Sequence, residues 1–114
     1  MKWKWTIFNA DLNPTIGAEQ KGIRPVLVIS DEYYNELMPV VSVLPLTSLK
    51  KGRLVYPNEV LISEGTAGVK YDCIIMIHQI RTISKQRLVK EIGSIENGEI
   101  QLKIIEAFKI HFNL

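Results

Sequence analysis

What most constrains this chain is a series of short apolar runs, each closed by a loop. "PVLVIS" (Pro25–Ser30), "VVSVLPL" (Val40–Leu46), "EVLI" (Glu59–Ile62) and "CIIMIHQI" (Cys73–Ile80) are rich in strand formers, and none exceeds eight residues. "WTIFNADL" (Trp5–Leu12) partly alternates, and "LVKEIG" (Leu88–Gly93) reads as a last short strand. Pro and Gly punctuate the polar stretches 13–24, 47–58 and 63–72, which are loops. Spanning a bilayer takes ~18–20 apolar residues, so runs this short do not predict membrane helices. They predict a mainly β fold: a small, strongly bent sheet or barrel. Pro25 opens its strand, where a missing N–H is tolerated, and Pro45 inside "VVSVLPL" predicts an edge strand or a bulge. Two helices complete the pattern. Asp31 caps a short one through "EYYNEL", after the second strand, and Pro39 ends it. Near the C-terminus Ile100, Ile104, Ala107, Phe108 and Phe112 fall at helical spacing, with Ser94 as the expected N-cap.

At 114 residues the chain is read as a single domain, 1–114, with one core. With 46% hydrophobic and 23% charged residues it is composed like a globular protein. The single cysteine, Cys73, forms no internal disulfide and sits in an apolar strand, which fits a reducing cytoplasm. Met-Lys-Trp-Lys-Trp is followed by no apolar stretch, so a signal peptide is not expected. The net charge is only +2, but its distribution is uneven. Lys50, Lys51 and Arg53 share one acid-free segment, and Arg81, Lys85, Arg87 and Lys90 share another. Such segregation can build a local positive face; scattered solvated lysines are the plainer account.

No Walker loop, Rossmann fingerprint, G-x-S-x-G or metal-spaced His/Cys cluster occurs, so neither a metal nor another cofactor is expected. What remains is a set of polar residues at strand ends. Arg24 stays charged and presents a planar fork suited to phosphate or carboxylate, held at the mouth of a buried strand by Pro25. It either faces a phosphate or pairs with Glu19 or another loop carboxylate. Thr47 and Ser48 close "VVSVLPL"; they either donate to a phosphate beside Lys50 and Lys51 or cap a turn. His78 interrupts an apolar strand and is either a satisfied structural group or a proton carrier with an ordinary pKa near 6.5. His111 and Cys73 read as structural.

Three blocks, "DLNPTIGAEQKGIRPVLVIS", "VLPLTS" and "HQIRTISKQRLVKEIG", together resemble the MazF/PemK family of toxin endoribonucleases over nearly the whole chain. The resemblance implies an SH3-like barrel of the CcdB/PemK type with a C-terminal helix, assembled as a homodimer. It implies metal-free cleavage of single-stranded RNA by attack of the 2′-hydroxyl, leaving a cyclic phosphate and a 5′-hydroxyl. It also implies a cognate antitoxin as partner, with DNA reached only through the antitoxin complex. The family's catalytic arginine falls on Arg24 and its threonine on Thr47, with Ser48 alongside. Gln20, Lys21, Lys50, Lys51 and Arg53 are the expected RNA contacts, and Arg81 and Arg87 the expected structural ones. The sequence departs from the family at His78, where an acid is common, at Trp5-Thr6, which replaces Gly-Asp, and at Cys73, which replaces serine. Two alternatives stand beside the ribonuclease. One is a non-enzymatic toxin that binds a protein such as gyrase, and the other an inactive antitoxin-binding component of a repressor.

Overall fold

The structure, a computed structural model, describes residues 2–114. Seven strands run β1 (Thr6–Asp11), β2 (Ile23–Val28), β3 (Val40–Ser48), β4 (Glu59–Ile62), β5 (Cys73–Met76), β6 (Arg81–Ser84) and β7 (Leu88–Ser94). Helix α1 (Glu32–Leu37) joins β2 to β3, and α2 (Gly98–Phe112) ends the chain. The sheet is antiparallel, in the order β4-β5-β3-β2-β1-β7, with β6 also on β3. It is mainly β with the two helices where the sequence puts them, but it stays open rather than closing into a barrel. The end strands β4 and β7 do not pair; α2 packs on β4, and the turn Thr66–Gly68 packs on β7.

β3 has β2 along one edge and two successive neighbours along the other. Val40–Val43 pair with β6, and Leu46–Ser48 pair with β5. Pro45 is therefore not on an edge strand, contrary to the sequence expectation. It stands in the gap between the two neighbours, where its missing N–H breaks no ladder bond. The same hand-over splits "CIIMIHQI". β5 stops at Met76, a 3₁₀ turn covers Ile77–Gln79, and "RTIS" emerges as a strand the sequence reading did not assign.

Both faces of the sheet are covered, which explains the continuous rather than alternating apolar runs. Ile7, Leu27, Leu44 and Leu46 face one cluster with Ile75, Ile95, Ile104 and Ala107. Phe8, Ala10, Val26, Val28, Val41 and Val43 face another with Leu12 and Ile83. Asp31 caps α1 as expected, accepting from the Tyr33 N–H at 3.1 Å. α2 is capped by Asn97, not Ser94. The Asn97 Oδ1 accepts from the Glu99 and Ile100 N–H groups, while Ser94 is still in β7, opposite Thr6. No helix among the described residues is long and apolar enough to cross a membrane.

Candidate active site

β2 and β3 part company at one end, and Arg24-Pro25 is the cause. Their ladder pairs Val28 with Val43, Leu27 with Leu44 and Val26 with Pro45. The Ile29 N–H donates to the Ser42 carbonyl at 2.9 Å, so by alternation Leu27 and then Pro25 turn their backbone nitrogens toward β3. Pro25 has no hydrogen to donate, and the carbonyl opposite it, that of Leu46, lacks its ladder partner. Arg24 takes that place. Its Nη1 donates to the Leu46 carbonyl in a long contact of 3.4 Å, and its Nε to the Lys21 carbonyl at 3.0 Å. A guanidinium has five N–H groups, so three remain for a ligand. Among the described residues no carboxylate ion-pairs with Arg24. Glu19 accepts from the Ile16 N–H at 2.5 Å instead.

Arg24 opens into a cleft of about 600 Å³, lined also by Asn9, Leu46, Thr47, Ser48 and Lys50. Its floor crosses four strands, since Lys90 lies opposite Asn9 and Asn9 opposite Pro25, beside Leu46. Thr47 and Ser48 are at the end of β3, where their backbones pair with Ile74 and Cys73. Among the described residues neither hydroxyl is engaged in a hydrogen bond, so the turn-capping role is not taken up and both are free to donate.

The rest of the lining, which the sequence reading did not assign, is Lys70 and Tyr71, with Lys90, Glu91 and Ile92 of β7. Two glycines bring it there. A Cβ on Gly93 would stand 2.3 Å from the Ala67 carbonyl oxygen, and one on Gly68 would stand 2.6 Å from that of Ile92. The loop and β7 touch backbone to backbone, a contact open only to residues without side chains. The Leu49 N–H then donates to the Asp72 carbonyl at 2.8 Å, and the Glu64 N–H to Asp72 Oδ1 at 2.7 Å. Cys73 is buried against the Tyr71 carbonyl, and burial, reinforced by Asp72, raises its thiol pKa. Nothing in the sequence around Lys70 or Tyr71 announced this position; only the paired glycines hinted at a close approach.

The remaining predicted residues fall elsewhere. Gln79 holds the 13–22 loop, accepting from the Gln20 N–H at 3.4 Å and donating to the Ala18 carbonyl at 3.3 Å. Arg81 and Arg87 donate to carbonyls where β1 runs into that loop, Arg81 to Leu12 and Arg87 to Asp11 and Asn13, so both are engaged within the fold. Lys21 and Lys51 are exposed on loops outside the cleft lining. Arg53 and His78 meet at Glu59, whose side chain is fully buried. Arg53 grips it with a fork of 2.7 and 3.0 Å, His78 Nε2 lies 2.8 Å away, and the Tyr56 N–H donates at 3.0 Å. Burial alone would raise the Glu59 pKa, but these donors outweigh it and hold the carboxylate at about 2. This cluster borders a separate hollow with Asn58 and His111, which are 3.3 Å apart, rather than the Arg24 cleft.

Residues 4–112 match the family model of the PemK-like, MazF-like toxins of type II toxin–antitoxin systems. The chain is 38% identical to an endoribonuclease of Bacillus subtilis, EndoA, covering 95% of this chain and 91% of that one. It is 36% identical to the endoribonuclease MazF9 of Mycobacterium tuberculosis, covering 95% and 93%. A mycobacterial endoribonuclease solved in complex with its cognate antitoxin has the same fold, with a TM-score of 0.81 at 19% identity, covering 100% of this chain and 97% of that one.

Proposed function

This chain belongs to the PemK-like, MazF-like toxin family of type II toxin–antitoxin systems, and from that premise we propose that it is an endoribonuclease. It cuts single-stranded RNA at a short sequence, without a metal. The observation that carries this reading is the Arg24 guanidinium, free of any carboxylate and sharing a cleft with two unengaged hydroxyls.

In the reaction the 2′-hydroxyl oxygen attacks the adjacent phosphorus while the bond to the 5′-oxygen breaks. A proton leaves the 2′-oxygen and one is delivered to the 5′-oxygen, giving a cyclic phosphate and a 5′-hydroxyl. The nucleophile comes from the substrate, so the protein's task is to orient the ribose and stabilise charge on the phosphorane-like centre. Arg24 supplies a fixed cation, and Thr47 and Ser48 donate to the non-bridging oxygens. Lys50 brings the phosphate chain into the cleft, and Gln20, Lys21 and Lys51 extend the path along the loops. His78 and Arg53 we assign to holding Glu59 rather than to RNA or proton transfer. A protein antitoxin, like the partner of the mycobacterial neighbour, covers the cleft; the toxin is a homodimer of the cytoplasm and meets DNA only through that complex.

The test is cleavage of a long, unstructured RNA in excess EDTA, with the ends mapped. Cuts at one short motif with cyclic-phosphate ends, and losses of ~10²–10³-fold in Arg24→Ala and Thr47→Ala, are expected. A folded protein that cuts none of several RNAs sinks the enzyme and turns attention to gyrase or antitoxin binding.

A further inference from the structure

The cleft lining holds a tyrosine next to the end of β3, and among the described residues its ring has no aromatic or cationic partner. Tyr71 is 67% exposed, yet its backbone is not loose. Its carbonyl accepts from the Cys73 thiol at 3.1 Å, and the next residue, Asp72, is bonded to Leu49 and Glu64. The loop before it is pressed against β7 at Gly68 and Gly93, where no side chain fits between. Among the described residues no aromatic or cationic side chain packs on its ring, whereas Trp3, Trp5, Tyr33, Tyr34 and Tyr56 each have such a neighbour. An exposed ring standing alone on a surface is unremarkable. This one lines the same cleft as Arg24, Thr47 and Ser48, together with Lys70 and Lys90.

We infer that Tyr71 is a stacking platform for a nucleobase of the RNA, with Lys70 and Lys90 neutralising the phosphates of that stretch. The inference rests on the ribonuclease reading and adds to it a base-binding surface beside Lys50, where the 63–72 loop meets the end of β3. A flat ring on a fixed backbone, in a cleft that also holds cations, is the combination that holds single strands, because every base offers a π-face and every nucleotide a charge. Arg24, Lys50, Lys70 and Lys90 outnumber Glu91, the single carboxylate of the lining, so the cleft favours an anionic chain. Tyr71 acts through binding, and its loss appears in KM and in affinity before kcat.

The experiment uses a fluorescein-labelled, unstructured RNA cut by the wild type at mapped sites, and a copy with 2′-deoxyribose 5′ to each cut. Anisotropy gives the Kd of the uncut copy, and initial rates on the RNA give KM and kcat. Tyr71→Leu is expected to weaken binding by about 5- to 150-fold and to raise KM with kcat largely kept, while Tyr71→Phe binds like the wild type. Lys90→Gln should lower the slope of log affinity against log salt by about 0.7. Equal melting temperatures for all variants keep the comparison free of folding effects. A wild type that binds and cuts beside a Tyr71→Leu that binds equally well overturns this inference alone, as does a Tyr71→Phe as weak as Tyr71→Leu. A wild type that neither binds nor cuts overturns it together with the ribonuclease reading. Tyr71→Leu that keeps RNA binding but loses a protein antitoxin would overturn it in favour of a protein-docking role.

Discussion

Arg24 is aimed by the residue that follows it. Pro25 withholds a donor from the Leu46 carbonyl, and the guanidinium that fills the place is thereby held with its free edge in the cleft. Pro25→Ala would restore a backbone N–H able to bond Leu46 and compete with Arg24. We expect single-turnover cleavage to fall by about 10- to 100-fold with no loss of thermal stability, because displacement of a reacting group by an ångström has that cost. An unchanged rate would mean that Arg24 is positioned by other means. Glu59 is a residue-scale stability element. Its carboxyl is lowered from an ordinary 4.5 to about 2. A depressed acid stabilises the fold fully above its unfolded pKa and loses that contribution as pH falls through its folded one. The contribution is on the order of 3 kcal/mol at neutral pH, fading between about pH 5 and 2. Urea unfolding across that window should show Glu59→Gln less stable at pH 7 and converging on the wild type near pH 2; parallel curves would refute it. Trp5 shows what a family departure can mean physically. It sits at φ +67°, in the left-handed region, where the glycine common in the family fits without strain.

At the scale of elements, the cleft depends on how the 63–72 loop meets β7. Gly93 has ordinary strand backbone, so its requirement is space alone: an added Cβ would meet the Ala67 carbonyl carbon at 2.7 Å as well as its oxygen. Gly93→Ala should force the loop outward, lower stability by about 1–3 kcal/mol in thermal or chemical melts, and displace Tyr71 from the cleft. A variant as stable as the wild type would show that the loop accommodates the methyl cheaply. Elements were legible where local chemistry dominates. Asp31 and Pro39 bracket α1 as their side-chain and backbone chemistry requires. β6 was not legible, because "RTIS" has one buried side chain, Ile83, and owes its strand geometry to pairing with Val40–Val43. The cap of α2 was misplaced by three residues because Ser94 and Asn97 are both competent caps. Pairing of Ser94 with Thr6 decided between them.

For the molecule as a whole, α2 serves as the cover that a seven-stranded open sheet needs. Ile104 and Ala107 are buried in the cluster that includes Leu46 and Cys73, so the helix and the cleft share one core. Ile104→Ala should cost about 2–5 kcal/mol and lower unfolding as a single transition, checked by urea melts followed at two wavelengths. Separate transitions would show the helix to be an independent unit. The sequence by itself determined the mainly β class, both helices, the buried strands and the family, because apolar run length, caps and a long motif are local properties. That Arg24, Thr47 and Ser48 stand at strand ends was legible for the same reason, and the structure brings the three to one cleft. Tertiary structure alone decided that the sheet stays open, that Arg53 and His78 turn to Glu59, and that Lys70 and Tyr71 wall the cleft with Lys90. Those outcomes depend on contacts between segments far apart in the chain, through strand register, a buried charge seeking donors and two glycines in backbone contact, and no local pattern encodes where such partners meet.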